Sequence, residues 1–312
     1  MLDVFLATLS PMLVLLLCII VGFVLNKKKL CPENTTTVLS KLETTVLCPA
    51  LNISTFSRYC TVASLSEQYK LVLYSLLAVV LAIGLSYALS PLFEKKGYTR
   101  NVYKYAIAFS NHGFMGNAIV PAILGGEMLY SYMLFALPLN IFTYTWGLSI
   151  LIPKGNERQN PLKKLVNPIL MSVLIGAALG LSGLVLPDFI STALQNLGSC
   201  MGPIAMILTG FVIGSYSLKS LLTNKKVYIA TALRLFVIPA FFIVLLKLLG
   251  ADNTVLTMCL FGFATPLGLN TVVFPAAYGG DTAPGAAMAM VSHTLCVITI
   301  PIMYMLLTAF IL

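Results

Sequence analysis

The chain has 312 residues, of which 59% are hydrophobic and only 9% charged, with a mean hydropathy of +0.95; a soluble domain carries about 25% charged residues. This balance excludes a soluble globular domain and makes the lipid bilayer the main partner. The net charge of +9 lies in short loops between apolar runs, which points to membrane orientation rather than to nucleic acid.

The apolar runs are continuous rather than alternating, so they predict helices and not the strands of a barrel. Ten spans follow in chain order, at roughly 3–25, 38–57, 69–92, 102–123, 129–152, 168–187, 192–216, 227–249, 254–278 and 285–311. Basic clusters separate several of them: KKK at 27–29, EKKGYTR at 94–100, KGNERQNPLKK at 154–164 and the stretch from Lys219 to Lys226. The N-terminus, with Asp3 and no basic leader region, reads as a retained first helix. Sixteen of the nineteen basic residues, Arg234 among them, fall on the side of the loops after the odd-numbered spans. The positive-inside rule puts that side in the cytoplasm and both termini outside, in a multi-pass protein of the cell membrane.

The second half repeats the first. Phe109–Glu127 (FSNHGFMGNAIVPAILGGE) and Phe263–Asp281 (FATPLGLNTVVFPAAYGGD) align at a constant offset of 154 residues, which also pairs Pro49 with Pro203. An odd number of spans per repeat forces the two copies into opposite orientations. The expected fold is therefore an all-α membrane protein of ten transmembrane helices, arranged as two inverted five-helix repeats. Residues 1–153 form the first repeat, 154–167 a cytoplasmic linker and 168–312 the second repeat.

The fourth and ninth spans are interrupted. Gly113, Gly116 and Asn117 lie mid-span in one, and Pro266, Gly268 and Asn270 in the other. Glycine permits unwound backbone and proline removes a donor. A break exposes amides and carbonyls that lipid cannot satisfy, so it must face protein or a wet cavity. Half-helix N-termini carry about +0.5 charge each and suit an anion. Asn111, His112, Asn117, Thr265, Asn270 and Thr271 cluster at this depth and can orient a ligand without a mid-membrane charge. Alternating access needs a driving ion or none. His112, His293 and Glu43 are the intramembrane groups able to carry a proton, and a sodium site of backbone and Asn/Thr oxygens is equally open. The seven cysteines show no disulfide framework or zinc spacing. No metal or further cofactor is expected.

The segment SNHGFMGNAIVPAILGG resembles the fourth-helix motif of the auxin efflux carrier family, which includes bacterial dicarboxylate carriers and plant auxin exporters. ATPLGLNTVVFPAAYGGDTAPGAAMAMVSHTLCVITIP resembles that family's ninth- and tenth-helix signature. The resemblance implies a fold similar to the bile-acid sodium symporters, with helices 4 and 9 crossing at their unwound centres. It also implies organic-anion substrates, elevator-type motion, and binding roles for Asn111, Pro266, Asn270 and, in the fifth span, Asn140. Spans 1, 2, 6 and 7 would then form a scaffold, with a homodimer surface, and the other six a transport domain. One departure is that Gly116 is followed by Asn117 and Ala118, where many members carry a proline.

The expected function is secondary active transport of a small organic anion, such as malate, malonate or an auxin-like acid. The alternative is a proton- or sodium-coupled carrier of a neutral or zwitterionic metabolite, or a channel. An intramembrane enzyme lacks a signature: there is no H-E-x-x-H, no G-x-S-x-G and no paired carboxylates within a span.

Overall fold

The computed structural model describes residues 2–152, 166–217, 219, 222–277 and 280–312. The expected linker lies outside the described residues as far as residue 165, together with Lys154, Arg158, Lys163 and Lys164. So does Gly279 of the second Gly-Gly pair.

Helices are the regular elements of the described residues. They form α1 (Leu2–Lys27), α2 (35–59), α3 (Val62–Phe93), α4 (Tyr98–Ala108), α5 (His112–Leu124), α6 (Gly126–Leu151), α7 (Pro168–Ser182), α8 (Asp188–Gly214), α9 (Lys225–Leu248), α10 (Asn253–Ala264), α11 (Asn270–Ala277) and α12 (Ala283–Phe310). Six of these, α1, α3, α6, α8, α9 and α12, are long and apolar enough to cross a membrane. Leu13, Leu17, Leu174, Leu181, Val237, Phe241 and Val244 stand exposed along α1, α7 and α9, an outward apolar face that water would penalise and hydrocarbon accepts. The protein is an integral, multi-pass membrane protein.

Local chemistry sets the helix ends. Thr61 and Ser64 form a reciprocal capping box that starts α3. Asn167 caps α7 through the Leu170 amide at 3.0 Å, Pro168 occupies its first turn, and Gly183 closes it in the left-handed region at φ 68°. Asp252 caps α10 through the Val255 amide at 2.9 Å. Single π turns interrupt α2 at Glu43–Leu47, α5 at His112–Gly116, α6 at Thr143–Gly147 and α9 at Leu233–Val237. Such turns insert one residue and so shift the helix face.

The helices pack as two sets. In the first, α1 lies along α8, α2 along α7, and α2 crosses α8. Glycines bring these backbones together, as lipid-embedded helices require. A Cβ on Gly22 or Gly210 would overlap the facing backbone of Ile207 or Ile19, and one on Gly176 or Gly180 would overlap α2 at Phe56 and Cys60. In the second set, α3 packs on α4 and α6, α5 on α6, α9 on α10 and α12, and α10 on α6 and α12. The two sets meet where α1 touches α12, α8 touches α5 and α2 touches α6.

Candidate functional site

The site is built where two helices break. The α4 helix ends at Ala108, and Phe109 leaves it in an extended conformation. The α10 helix ends at Ala264 because Thr265 precedes Pro266, and a residue before proline is driven into the extended region. The two unwound strands meet: Ser110 and Leu267 form an antiparallel bridge, and the Asn111 amide donates to the Pro266 carbonyl at 2.7 Å. The Ser110 hydroxyl donates to the Gly262 carbonyl at 2.6 Å, and the Leu267 amide donates to the Ser292 hydroxyl of α12 at 3.1 Å. These bonds pair part of the polar backbone that lipid could not satisfy.

The first break lies at 109–111 and not at the glycines expected to make it. Gly113 and Gly116 fall inside the π turn that opens α5. The reason is packing: a Cβ on Gly116 would overlap the Tyr132 hydroxyl, which donates to the His112 carbonyl at 2.8 Å.

Beside the crossing is a cavity of about 30 Å³, room for about one water molecule. Its polar wall is Ser110, Asn111, His112, Gly113, Asn117, Asn140 and Asn270; its opposite wall is Cys48 and Asn52 of α2 with Ile169 and Val173 of α7. The cavity therefore lies between the two helix sets. The amides of His112, Gly113 and Phe114 precede the first intrahelical bond of α5, made by Met115 to Asn111 at 2.9 Å. At α11 the early amides of Thr271 and Val272 are already bonded to Gly268 and Leu269. The first break thus places amides without an intrahelical partner on residues that line the cavity, and the second places the Asn270 side chain there.

Hydrogen bonds fix these side chains. Asn111 Nδ2 lies 3.0 Å from His293 Nε2, while His293 Nδ1 lies 2.8 Å from the Ala289 carbonyl. With Asn111 Nδ2 as donor, His293 Nε2 accepts and the ring hydrogen sits on Nδ1, facing the Ala289 carbonyl. His112 Nδ1 faces the Ser110 carbonyl at 3.2 Å and so carries a hydrogen. Its Nε2 lies 3.1 Å from Asn140 Oδ1. That contact admits two forms: an imidazolium donating to the amide oxygen, or a neutral ring accepting from a rotated Asn140 amide. Asn270 Nδ2 donates to the Tyr105 hydroxyl at 3.0 Å.

Five expected residues thus line one cavity: Asn111, His112, Asn117, Asn140 and Asn270. Three do not. Thr265 is fully buried, and among the described residues its hydroxyl has no hydrogen-bond partner. Pro266 contributes its carbonyl to the crossing, and Thr271 bonds the Gly268 carbonyl at 2.8 Å. Of the coupling candidates, His112 is in the cavity wall and His293 stands behind Asn111. Glu43 is fully buried in the π turn of α2 with neither oxygen hydrogen-bonded, away from the cavity lining.

Four residues beyond that set matter to the site. Ser110 ties both breaks together, Tyr105 positions Asn270, and Asn52 donates to the Ile169 carbonyl at 3.1 Å and the Ser172 hydroxyl at 2.9 Å. The fourth, Arg234, is 1% exposed; it is a core residue and does not weigh in the loop-charge count that included it. The π turn rotates it inward, and no sequence pattern signals that turn.

A search of curated proteins finds no match to the chain. The sequence profile described as membrane transport protein, that of the auxin efflux carriers, matches residues 7–304. That match spans nearly the whole chain, its crossing helices included, and the chain belongs to the auxin efflux carrier family of membrane transport proteins.

Proposed function

We propose that the protein is a secondary carrier of a small organic anion, working by an elevator-type movement of α3–α6 and α9–α12 against a scaffold of α1, α2, α7 and α8. The observation that carries this reading is the cavity itself: free amides and three asparagines at two paired helix breaks, walled on the other side by the separate helix set. Unpaired donors in a low-dielectric pocket favour a carboxylate. A volume of about 30 Å³ is too small for any such substrate, so the sets must part to admit one.

Counting each broken pair, α4 with α5 and α10 with α11, as one span gives ten spans. An inverted repeat is supported by contacts as well as by sequence. Gly22 packs on Ile207 and Gly176 on Ile53, and each member of one pair lies 154 residues from its counterpart in the other. With ten spans the positive-inside rule keeps both termini outside.

Coupling to protons is the reading favoured by the contact between His112 and Asn140. An imidazolium turns the Asn140 oxygen toward itself and leaves the amide hydrogens for the cavity; a neutral ring reverses this. Protonation then adds a charge and two donors to the same pocket, so proton and anion reinforce each other's binding. The groups around His112 are Arg234 across the break, His293 beyond Asn111, and the Tyr132 hydroxyl on its carbonyl.

Two experiments test the proposal. A thermal-shift screen of carboxylates should show stabilisation of the wild type by mass action. Asn111→Ala and Asn140→Ala should each weaken the effective ligand by ~1.5–3 kcal/mol, about ten- to a hundredfold; unchanged binding in both variants refutes the site. In proteoliposomes, carboxylate uptake should strengthen as pH falls, and His112→Gln should flatten that profile. A wild-type profile in that variant removes His112 from coupling.

A further inference from the structure

Arg234 is a buried cation with no counter-ion. It is 1% exposed, and among the described residues no carboxylate pairs with it. A lone charge at this depth costs several kcal/mol unless its surroundings compensate. Its Nη1 donates to the Ile107 carbonyl at 3.0 Å, in the last turn of α4. Its guanidinium carbon lies 5.6 Å from the ring centre of Phe263, in the last turn of α10. Both helices end at the crossing, so both present the negative end of the helix dipole there. Among the described residues Nε and Nη2 have no hydrogen-bond partner.

We propose that Arg234 is the fixed countercharge of the crossing: it compensates the C-terminal ends of α4 and α10, leaves the N-terminal ends of α5 and α11 as the uncancelled charge, and thereby selects a singly charged carboxylate. Four half-helix ends of about half a unit each, two of either sign, sum to nothing and give an anion no advantage beyond local amides. One guanidinium raises the total to about +1. With His112 neutral, a monocarboxylate balances that charge, and a dicarboxylate leaves an excess negative charge in a medium where excess charge is expensive. Arg234 does not line the cavity, so it is a positioning and specificity-determining residue acting through the backbone of the two breaks. The inference rests on the organic-anion reading for its substrate class but not for its structural part.

The test compares Arg234→Gln and Arg234→Lys with the wild type in the full-length protein. Hydrogen exchange is followed at residues 105–112 and 261–268, with α1 and α8 as reference. The glutamine variant should exchange about tenfold or more faster at both breaks while the reference helices keep wild-type rates, and the lysine variant should stay near wild type. Wild-type rates at both breaks in the glutamine variant overturn the proposal, as does equal loosening of α1 and α8. If the glutamine variant does not assemble, Arg234→Ala is prepared with low guanidinium or with urea. Recovery with the cation alone supports the countercharge; recovery with both or with neither overturns it. In the ligand arm, acetate and indole-3-acetate should stabilise the wild type more than malonate and malate, and lose that advantage in the glutamine variant. A preference for the dianions defeats the charge matching. Stabilisation by no carboxylate at all defeats the anion reading instead, and the exchange rates then still decide whether Arg234 holds the crossing.

Discussion

Gly116 lacks a side chain because the Tyr132 ring fills the space one would need. The two residues form a brace: Tyr132 passes over the π turn and donates to the His112 carbonyl at 2.8 Å, so the residue that faces the cavity is held from behind. Gly116→Ala should destabilise the protein by ~1–3 kcal/mol, the usual cost of overpacking, read as a lower unfolding temperature in detergent. Adding Tyr132→Leu should return part of that loss by making room while forfeiting the hydrogen bond. A Gly116→Ala protein as stable as wild type removes the brace. At this scale the sequence exposes only half of the site. Asparagines inside apolar spans are conspicuous because an amide there needs a partner, which is how Asn111, Asn117 and Asn270 stand out. A serine, a tyrosine or a glycine in the same span is ordinary, so Ser110 and Tyr105 are silent, and Gly116 reads as a break when its role is close approach. Arg234 is hidden differently. Near a lysine-rich loop it looks interfacial, and only the π turn at Leu233–Val237 turns it into the core.

Helix positions are legible because hydrocarbon demands long apolar runs, and each of the six membrane-length helices overlaps an expected span, α3 starting seven residues before the expected 69. Where a helix breaks is harder to read. The second break follows from Pro266, whose effect on Thr265 is local and steric. The first has no proline and is held by Pro266 and Leu267, far along the chain, through the Asn111 amide and the Ser110 bridge. Nothing local fixes it. Helix pairing is a matter of small residues. Gly22 on α1 and Gly176 on α7 each sit against a facing backbone, whereas Gly84 on α3 has nothing within 4 Å. Gly22→Ala and Gly176→Ala should therefore each destabilise by ~1–3 kcal/mol. Gly84→Ala should be neutral or stabilising by up to about 1 kcal/mol, since alanine is the better helix former. Thermal unfolding of the three variants checks this. Equal effects at all three positions would mean that the close approaches do not hold the first helix set together.

For the whole molecule, the decisive fact is that the cavity wall belongs to two helix sets that share few side-chain hydrogen bonds. Asn26 of α1 bonds Ser215 after α8 at 3.1 Å, within the first set; Ser131 of α6 bonds Gln68 of α3 at 2.7 Å, within the second. Across the seam the contacts are chiefly apolar, and apolar contacts slide at low cost in a lipid solvent that offers equivalent partners. One position tests whether they do. A Cβ built on Gly202 of α8 would lie 2.8 Å from the Ala118 Cβ of α5, within a small shift of the ~3.8 Å typical of a disulfide. Gly202→Cys with Ala118→Cys should cross-link on oxidation, located by peptide mass to distinguish it from the native thiols. Carboxylate counterflow should then stop and return on reduction, while either single variant responds to neither treatment. Asn26→Cys with Ser215→Cys staples the first set to itself and should leave counterflow intact when oxidised. Continued counterflow through a fully cross-linked 118–202 pair would mean that substrate passes with the seam closed. A fixed pathway would then replace a moving one, and the free amides of α5 would line a channel rather than load a carrier.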